Sequence, residues 1–145
     1  ITQSLVSVGG ASLLEDTASA QSQALQWILS SASLSSYSQF EILQRYVLAA
    51  LYFSTFGDSW QNNEGWLTDR DECEWYTSEI DTNICNARGE LDEIDLDSNN
   101  VGGTIPWIDL ALMSNQLLVV DFFQNSISGT FSSQFGLLTS LEAID

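Results

Sequence analysis

Acidic side chains supply most of the chemistry that this sequence could perform. Asp95-x-Asp97-x-Asn99 has the spacing with which a calcium-binding EF-hand loop begins. The pattern then stops, because Asn100 stands where that loop needs its glycine and Pro106 stands where it needs a bidentate glutamate. The sequence therefore predicts no EF-hand and no cofactor.

Catalysis lacks the groups that it would need. The chain contains no histidine and no lysine, so neither can serve as the general base of a nucleophilic triad. Carboxylate pairs of the kind that glycosidases use are plentiful, but they fall in segments with no sign of a deep cleft. We therefore expect a protein that is not an enzyme.

Net charge narrows the possible partners. Twenty acidic residues face only three arginines, Arg45, Arg70 and Arg88, which gives a formal charge of −17. This charge repels nucleic acid and anionic lipid. It favours a basic protein partner or a divalent cation, or it serves solubility alone. Because no apolar run approaches the length of a bilayer, we also predict no membrane span.

Two copies of one pattern organise the second half of the chain. The first, residues 91–106, reads L-x-x-I-x-L-x-x-N-x-V-x-G-x-I-P, and the second, residues 117–131, reads L-x-x-V-x-F-x-x-N-x-I-x-G-x-F. A third copy opens at Leu141. The step from Asn99 to Asn125 is 26 residues, within the range of about 20–29 residues that leucine-rich repeats show.

The pattern resembles the plant-type leucine-rich-repeat family, and its algal members in particular, over residues 19–145. Spaced tryptophans and the cysteine pair Cys73 and Cys85, just before the first predicted strand, resemble the N-terminal cap of that family. Residues 24–27 and 44–55 look like its cap helices. The eleven residues between the cysteines exceed the usual few, which predicts an insertion at about 77–83 that loops out.

The resemblance implies a fold and a domain organisation. The fold would be a short right-handed leucine-rich-repeat solenoid, an α/β coil with short parallel strands and a helical N-terminal cap. Residues 1–18 would form an irregular arm, residues 19–90 the cap, and residues 91–145 two full repeats and the start of a third. Because so short an array leaves its last repeat open, we expect further chain or a partner to cover that end.

The cysteine pair bears on the compartment. Two cysteines in such a cap suggest one disulfide, Cys73–Cys85, and hence an extracellular or organelle-lumen location; a reduced pair in a cytosolic protein is the alternative. Zinc is disfavoured, because two thiols without histidine would have to recruit carboxylates.

Helical spacing predicts two helices that pack against the first repeat. Apolar residues recur at helical intervals over residues 19–31. Ser38 and Glu41 form a capping box that opens a second helix, which runs to about Thr55. Gly57 suits the C-terminal cap of this helix.

The repeat spacing also predicts which side chains point inward. Alternation along a strand turns Ile94 and Leu96 inward in the first copy and Val120 and Phe122 inward in the second. The asparagine of each repeat can bond backbone groups that a turn leaves unpaired, and the glycine suits a tight bend.

Aspartates share one position in the three copies: Asp95, Asp121 and Asp145. Parallel pairing would place them about 4.8 Å apart in a column. One interpretation is that aspartate is common at this position in such repeats and that solvent screens the repulsion. The other is an acidic binding strip for a basic, partly apolar protein surface. The strip comprises Glu93, Asp95, Asp97, Asp121, Phe123, Gln124 and Asp145.

Two functions follow from these observations. The first is a non-enzymatic protein–protein interaction module of leucine-rich-repeat type. The second is a structural accessory subunit of a larger assembly, associated with a photosynthetic membrane in an algal plastid and located in the thylakoid lumen.

Overall fold

A computed structural model describes residues 15–79 and 84–145. These residues contain three α-helices and three short strands. The predicted irregular arm therefore lies outside the described residues, apart from residues 15–18. Single 3₁₀ turns connect several of the elements. The helices and strands are α1 Ala20–Ser30, α2 Gln39–Ser54, α3 Trp107–Leu110, β1 Glu93–Asp95, β2 Val119–Asp121 and β3 Ala143–Ile144.

Both predicted helices are confirmed, and side chains at their first turns explain where they begin. The Ser19 hydroxyl caps α1 by accepting the Ser22 N–H at 3.1 Å. At α2 the Ser38 hydroxyl accepts the Glu41 N–H at 3.2 Å, while the Glu41 carboxylate accepts the Ser38 N–H at 2.7 Å. This is the reciprocal capping box that the sequence predicts.

The end of α2 differs from the prediction. Thr55 is the C-terminal cap, and Phe56, with φ of 58°, takes the left-handed conformation that was expected of Gly57. Gly57 instead opens a 3₁₀ turn, where a Cβ atom would collide with the ring of Tyr52. The glycine is therefore required for close packing rather than for backbone freedom.

The sheet confirms the predicted parallel pairing of the repeats. Its order is β1-β2-β3, with Ile94 opposite Val120 and Val120 opposite Ile144. The predicted inward side chains are buried: Leu96 is 1% exposed and Phe122 is 7% exposed. The repeat spacing thus fixes both the register and the inner face of β1 and β2.

The predicted right-handed leucine-rich-repeat solenoid is wrong. The described residues form three helices beside one short parallel sheet that is not closed, with strands of three, three and two residues. The physical reason lies in α2, which buries ten residues. One hydrophobic core joins the side chains of α2 to the inward side chains of β1 and β2. The strands therefore flank a helical core and are too few and too short for a solenoid.

The asparagines of the two repeats hold the turns that follow β1 and β2, as predicted. Oδ1 of Asn125 accepts the N–H groups of Asn99 at 3.1 Å and Val101 at 2.8 Å. Its Nδ2 donates to the carbonyl of Leu96 at 2.7 Å and to two carbonyls of its own turn. Asn99 is bonded in the same manner to both backbone groups of Asn62. One amide thus satisfies several backbone groups that the turns leave unpaired.

The predicted disulfide is present between Cys73 and Cys85. It joins the 3₁₀ turn Glu72–Glu74 to the segment that enters the sheet, where Cys85 forms an isolated bridge with Leu91. Such a bond is compatible with an extracellular or lumenal location.

A buried ion pair links the same 3₁₀ turn to α2. Arg45 of α2 is 2% exposed, and its Nε lies 2.8 Å from a Glu72 carboxylate oxygen, without the alignment of a hydrogen bond. Its other guanidinium nitrogens donate to the carbonyls of Thr68 and Arg70. Burial raises the pKa of Glu72, and hydrogen bonding and the Arg45 charge offset part of that rise. Arg45 thus connects α2 to the segment from Thr68 to Glu72.

Candidate functional site

Two consecutive turns, which follow β1 and β2, carry most of the predicted strip. Phe123 is its exposed apolar residue, with half of its surface exposed (50%). Glu93, Asp97 and Asp121 are partly exposed, whereas Gln124 and Asp145 are exposed. We call these six residues the acidic surface: Glu93, Asp97, Asp121, Phe123, Gln124 and Asp145.

Aspartates of the strands set the shape of both turns. Oδ1 of Asp121 accepts the Phe123 N–H at 2.8 Å, and Oδ1 of Asp95 accepts the Asp97 N–H at 3.0 Å. These are the local turns that an aspartate forms with the residue two positions ahead. The same hydrogen bond in each repeat orients the side chains that follow it.

Ser98 connects the two turns. Its N–H donates to the Phe123 carbonyl at 2.9 Å, and its hydroxyl donates to the Gln124 amide oxygen at 2.9 Å. Ser98 and Gln124 both have positive φ angles, of 52° and 53°. The two turns are therefore joined by hydrogen bonds to the backbone of Phe123 and the side chain of Gln124.

Asp95 differs from the expectation that it lies exposed on the strip. It is only 4% exposed. Thr77 and Ser78 explain the burial, because both donate hydrogen bonds to the Asp95 carbonyl at 3.1 Å. The predicted insertion at 77–83 therefore does not loop out at its described start but runs along β1; residues 80–83 lie outside the described residues. Asp95 therefore lies beneath the acidic surface, where its charge helps to raise the pKa of Glu93.

The predicted aspartate column is confirmed. Asp95 lies directly opposite Asp121 in the paired strands. The register continues to Asp145, whose carbonyl accepts the Phe122 N–H at 2.9 Å. Adjacent parallel strands lie about 4.8 Å apart, so neighbouring carboxylates repel one another.

Repulsion between neighbouring carboxylates contributes to the raised pKa values of Glu93 and Asp95. Burial raises the pKa of Glu93, and the charges of Asp95, Glu79 and further neighbouring acids raise it more. Burial also raises the pKa of Asp95, with a further contribution from Asp121. Among the described residues, the ion pairs of the three arginines are with Glu72, Glu64 and Glu90. The acidic surface consequently has no cationic partner within the described chain.

The cavity that adjoins the acidic surface is small. A cavity beneath β1, lined by Leu48, Ile94 and Asp95, holds about 10 Å³, close to the minimum for a single water molecule. Within residues 15–79 and 84–145, no group of three or more histidine, cysteine or acidic residues is arranged to hold a metal ion.

One buried acidic site escapes prediction from the sequence. Asp109 of α3 is 2% exposed and accepts hydrogen bonds from the Tyr46 hydroxyl at 3.0 Å and the Gln21 amide at 2.7 Å. Burial raises its pKa, and the two hydrogen bonds lower it in part. The sequence contains one sign of this buried site: Asp109 is a single carboxylate among the apolar residues 105–113. The site joins all three helices and has a structural role.

Comparison with known proteins gives no match: no protein-family model, no curated protein and no solved structure matches this chain. Over the described ranges, no helix is long and apolar enough to cross a membrane.

Proposed function

We propose that this chain is a non-enzymatic protein-binding module whose acidic surface takes a basic, partly apolar segment of a partner. The observation that carries the proposal is Phe123, a half-exposed ring whose backbone is bonded to Asp121 and to the turn that carries Asp97. Aromatic side chains at the centre of an interface supply much of its binding energy.

Electrostatics supports a basic partner. The pKa of Glu93 is raised partly by neighbouring carboxylates, so a cationic side chain placed among them would relieve repulsion that the free protein carries. A formal charge of −17 also attracts a basic partner over long range and accelerates association. Contact of the partner with the Phe123 ring would then stabilise the complex.

The proposal includes a family and a compartment. Kinship with the plant-type leucine-rich-repeat proteins is supported by the two repeats that pair in register and by the cysteine-bridged segment before β1. The disulfide supports the extracellular space or an organelle lumen, with the thylakoid lumen of a plastid as the alternative.

A second candidate function is that of an accessory subunit in a larger assembly. Exposed apolar side chains favour it: Leu137 is 51% exposed and Ile144 is 40% exposed. Recovery of the native protein only within a stable complex would support this function. Recovery as a monomer would favour the binding module.

Selection from a random peptide library on the immobilised protein tests the proposed function. We expect the selected peptides to combine arginine or lysine with an apolar residue and to bind less tightly as salt rises. Phe123→Ala should weaken binding about tenfold. Asp97→Asn with Asp121→Asn should mainly slow association, because an asparagine oxygen can still accept the Phe123 N–H while the charge is lost.

Matched controls lie elsewhere on the chain. Phe56→Ala removes an exposed ring, 62% exposed, outside the acidic surface. Asp16→Asn with Asp69→Asn removes the same two charges from exposed positions. If the controls weaken binding as much as the acidic-surface variants, or if the selected peptides are not basic, the proposal is wrong.

A further inference from the structure

A second surface lies away from the acidic one, against α3. It is an open groove of about 370 Å³ between the start of α1, the end of α2 and the segments around Thr104 and Thr130. This volume falls near the lower limit of about 300–1,000 Å³ for ligand pockets. The groove could hold a short segment of a chain-like ligand.

The lining of the groove is uncharged. None of its residues is acidic or basic, although the chain has 20 acidic residues among 145. The Asp109 carboxylate lies behind Gln21 and is buried. A charged ligand would find no counter-charge in the groove, and the net charge of the protein would repel an anion. The ligand chemistry is therefore neutral.

The groove nevertheless offers hydrogen-bonding groups. The side chains of Thr104, Thr130, Ser132 and Gln134 line it, and none of the four makes a hydrogen bond in the described part of the chain. Three hydroxyls and one amide are consequently available, each able to donate and to accept. A neutral ligand rich in hydroxyl groups would satisfy them better than a purely apolar one.

An aromatic ring lies beside the groove, in an adjoining hollow of about 70 Å³ that shares Ile105, Trp107 and Thr130 with it. Phe131 lies between two lining residues and stacks on Trp107, with ring centroids 5.4 Å apart and planes inclined by 25°. The side chain is still 68% exposed. A flat apolar ring beside free hydroxyls matches a sugar, which presents an apolar C–H face and a polar edge.

We propose that this groove binds a neutral carbohydrate chain, with Phe131 stacking on a sugar ring and Thr104, Thr130 and Gln134 bonding its hydroxyls. The proposal is independent of the acidic surface. It predicts binding of neutral oligosaccharides and exclusion of their acidic counterparts.

Titration calorimetry with a panel of neutral gluco-, manno-, xylo- and galacto-oligosaccharides tests the proposal on the whole chain. At least one member should bind with Kd of about 1 mM or tighter, whereas oligogalacturonate should not bind. Phe131→Ala should weaken binding about tenfold, and Thr130→Val, which keeps the shape and removes the hydroxyl, about fivefold. Both positions are exposed, so the urea midpoint should remain that of the unsubstituted protein.

Two controls separate this proposal from the proposed function. Thr139→Val alters an exposed threonine outside the groove, and Phe123→Ala alters the acidic surface. Both should bind the oligosaccharide normally, although Phe123→Ala should lose basic peptides. No binding by any neutral member, equal binding of oligogalacturonate, or unchanged affinity in Phe131→Ala and Thr130→Val would overturn the carbohydrate site.

Discussion

Tyr46 and Asp109 form a hydrogen bond of 3.0 Å between the phenolic hydroxyl and Oδ1, in the interior of the protein. Tyr46 is 2% exposed and lies in α2, and Asp109 lies in α3. Burial, together with the charge of Asp109, raises the pKa of Tyr46 far above its usual range. The hydroxyl therefore remains a donor at any physiological pH, and the carboxylate remains satisfied.

Removing this donor should destabilise the fold. Tyr46→Phe leaves the ring in place but removes one of the two side-chain donors to a buried carboxylate. We expect a loss of about 1–3 kcal/mol in the free energy of unfolding, measured by urea denaturation. Tyr37→Phe is the control, because its hydroxyl makes only a 3.5 Å contact with Asp69 at the surface. Equal stability of the two variants would show that the buried bond contributes nothing.

Asn125 provides a second test, because its amide bonds five backbone groups. Asn125→Ala should cost about 2–4 kcal/mol, since several backbone groups lose their partners together. Hydrogen exchange should speed up at the N–H groups of Asn99 and Val101. The matched control is Asn115→Ala at an exposed position, which should change neither quantity. Slow exchange at both amides in Asn125→Ala would contradict the role assigned to this side chain.

Leu96 tests the repeat register. It is 1% exposed, so Leu96→Ala should leave a cavity and cost about 2–5 kcal/mol. Leu29→Ala makes the same truncation at a position that is 54% exposed and should cost little. A similar effect of both substitutions on thermal unfolding would mean that Leu96 does not face the core.

The stability should depend on pH in a defined direction. Five carboxyls have pKa values raised in the folded protein: Glu72, Asp92, Glu93, Asp95 and Asp109. Their stabilising contribution is present below the ordinary values of 3.8 for aspartate and 4.5 for glutamate. It is lost as pH rises through the raised values. The free energy of unfolding in urea should therefore increase as pH falls from neutrality towards those ordinary values.

One substitution attributes the pH effect to the acidic surface. Glu93→Gln removes a carboxyl whose pKa is raised by burial and by neighbouring acids. The variant should be more stable than the unsubstituted protein near neutral pH and should show a shallower pH dependence. Glu74→Gln, at an exposed position, should leave the slope unchanged. A steeper profile in Glu93→Gln would contradict the assignment.

Local patterns in the sequence predict much of the local structure. Ser38 and Glu41 predict the first turn of α2 because a capping box involves only neighbouring residues. The repeat spacing predicts that Ile94 pairs with Val120, because strands of equal repeats align when their apolar side chains face the same core. Cys73 and Cys85 likewise form the disulfide that the resemblance implies.

The features that the sequence does not reveal depend on distant contacts. The solenoid prediction fails because α2, expected to be part of a cap on the first repeat, shares one common core with the strands. The burial of Asp95 depends on Thr77 and Ser78, which belong to a segment without a pattern of its own. Nothing adjacent in sequence to Arg45 indicates that it is buried against Glu72, 27 positions away.

Because its three arginines are already paired with carboxylates, this molecule behaves as a small polyelectrolyte. Each lies within ion-pair distance of a carboxylate, and Arg45 is withdrawn into the interior. Almost all of the remaining negative charge must be balanced by mobile cations from the solution. A basic partner that displaces those cations gains the entropy of their release. The concentration of dissolved salt then sets how much of that gain is available.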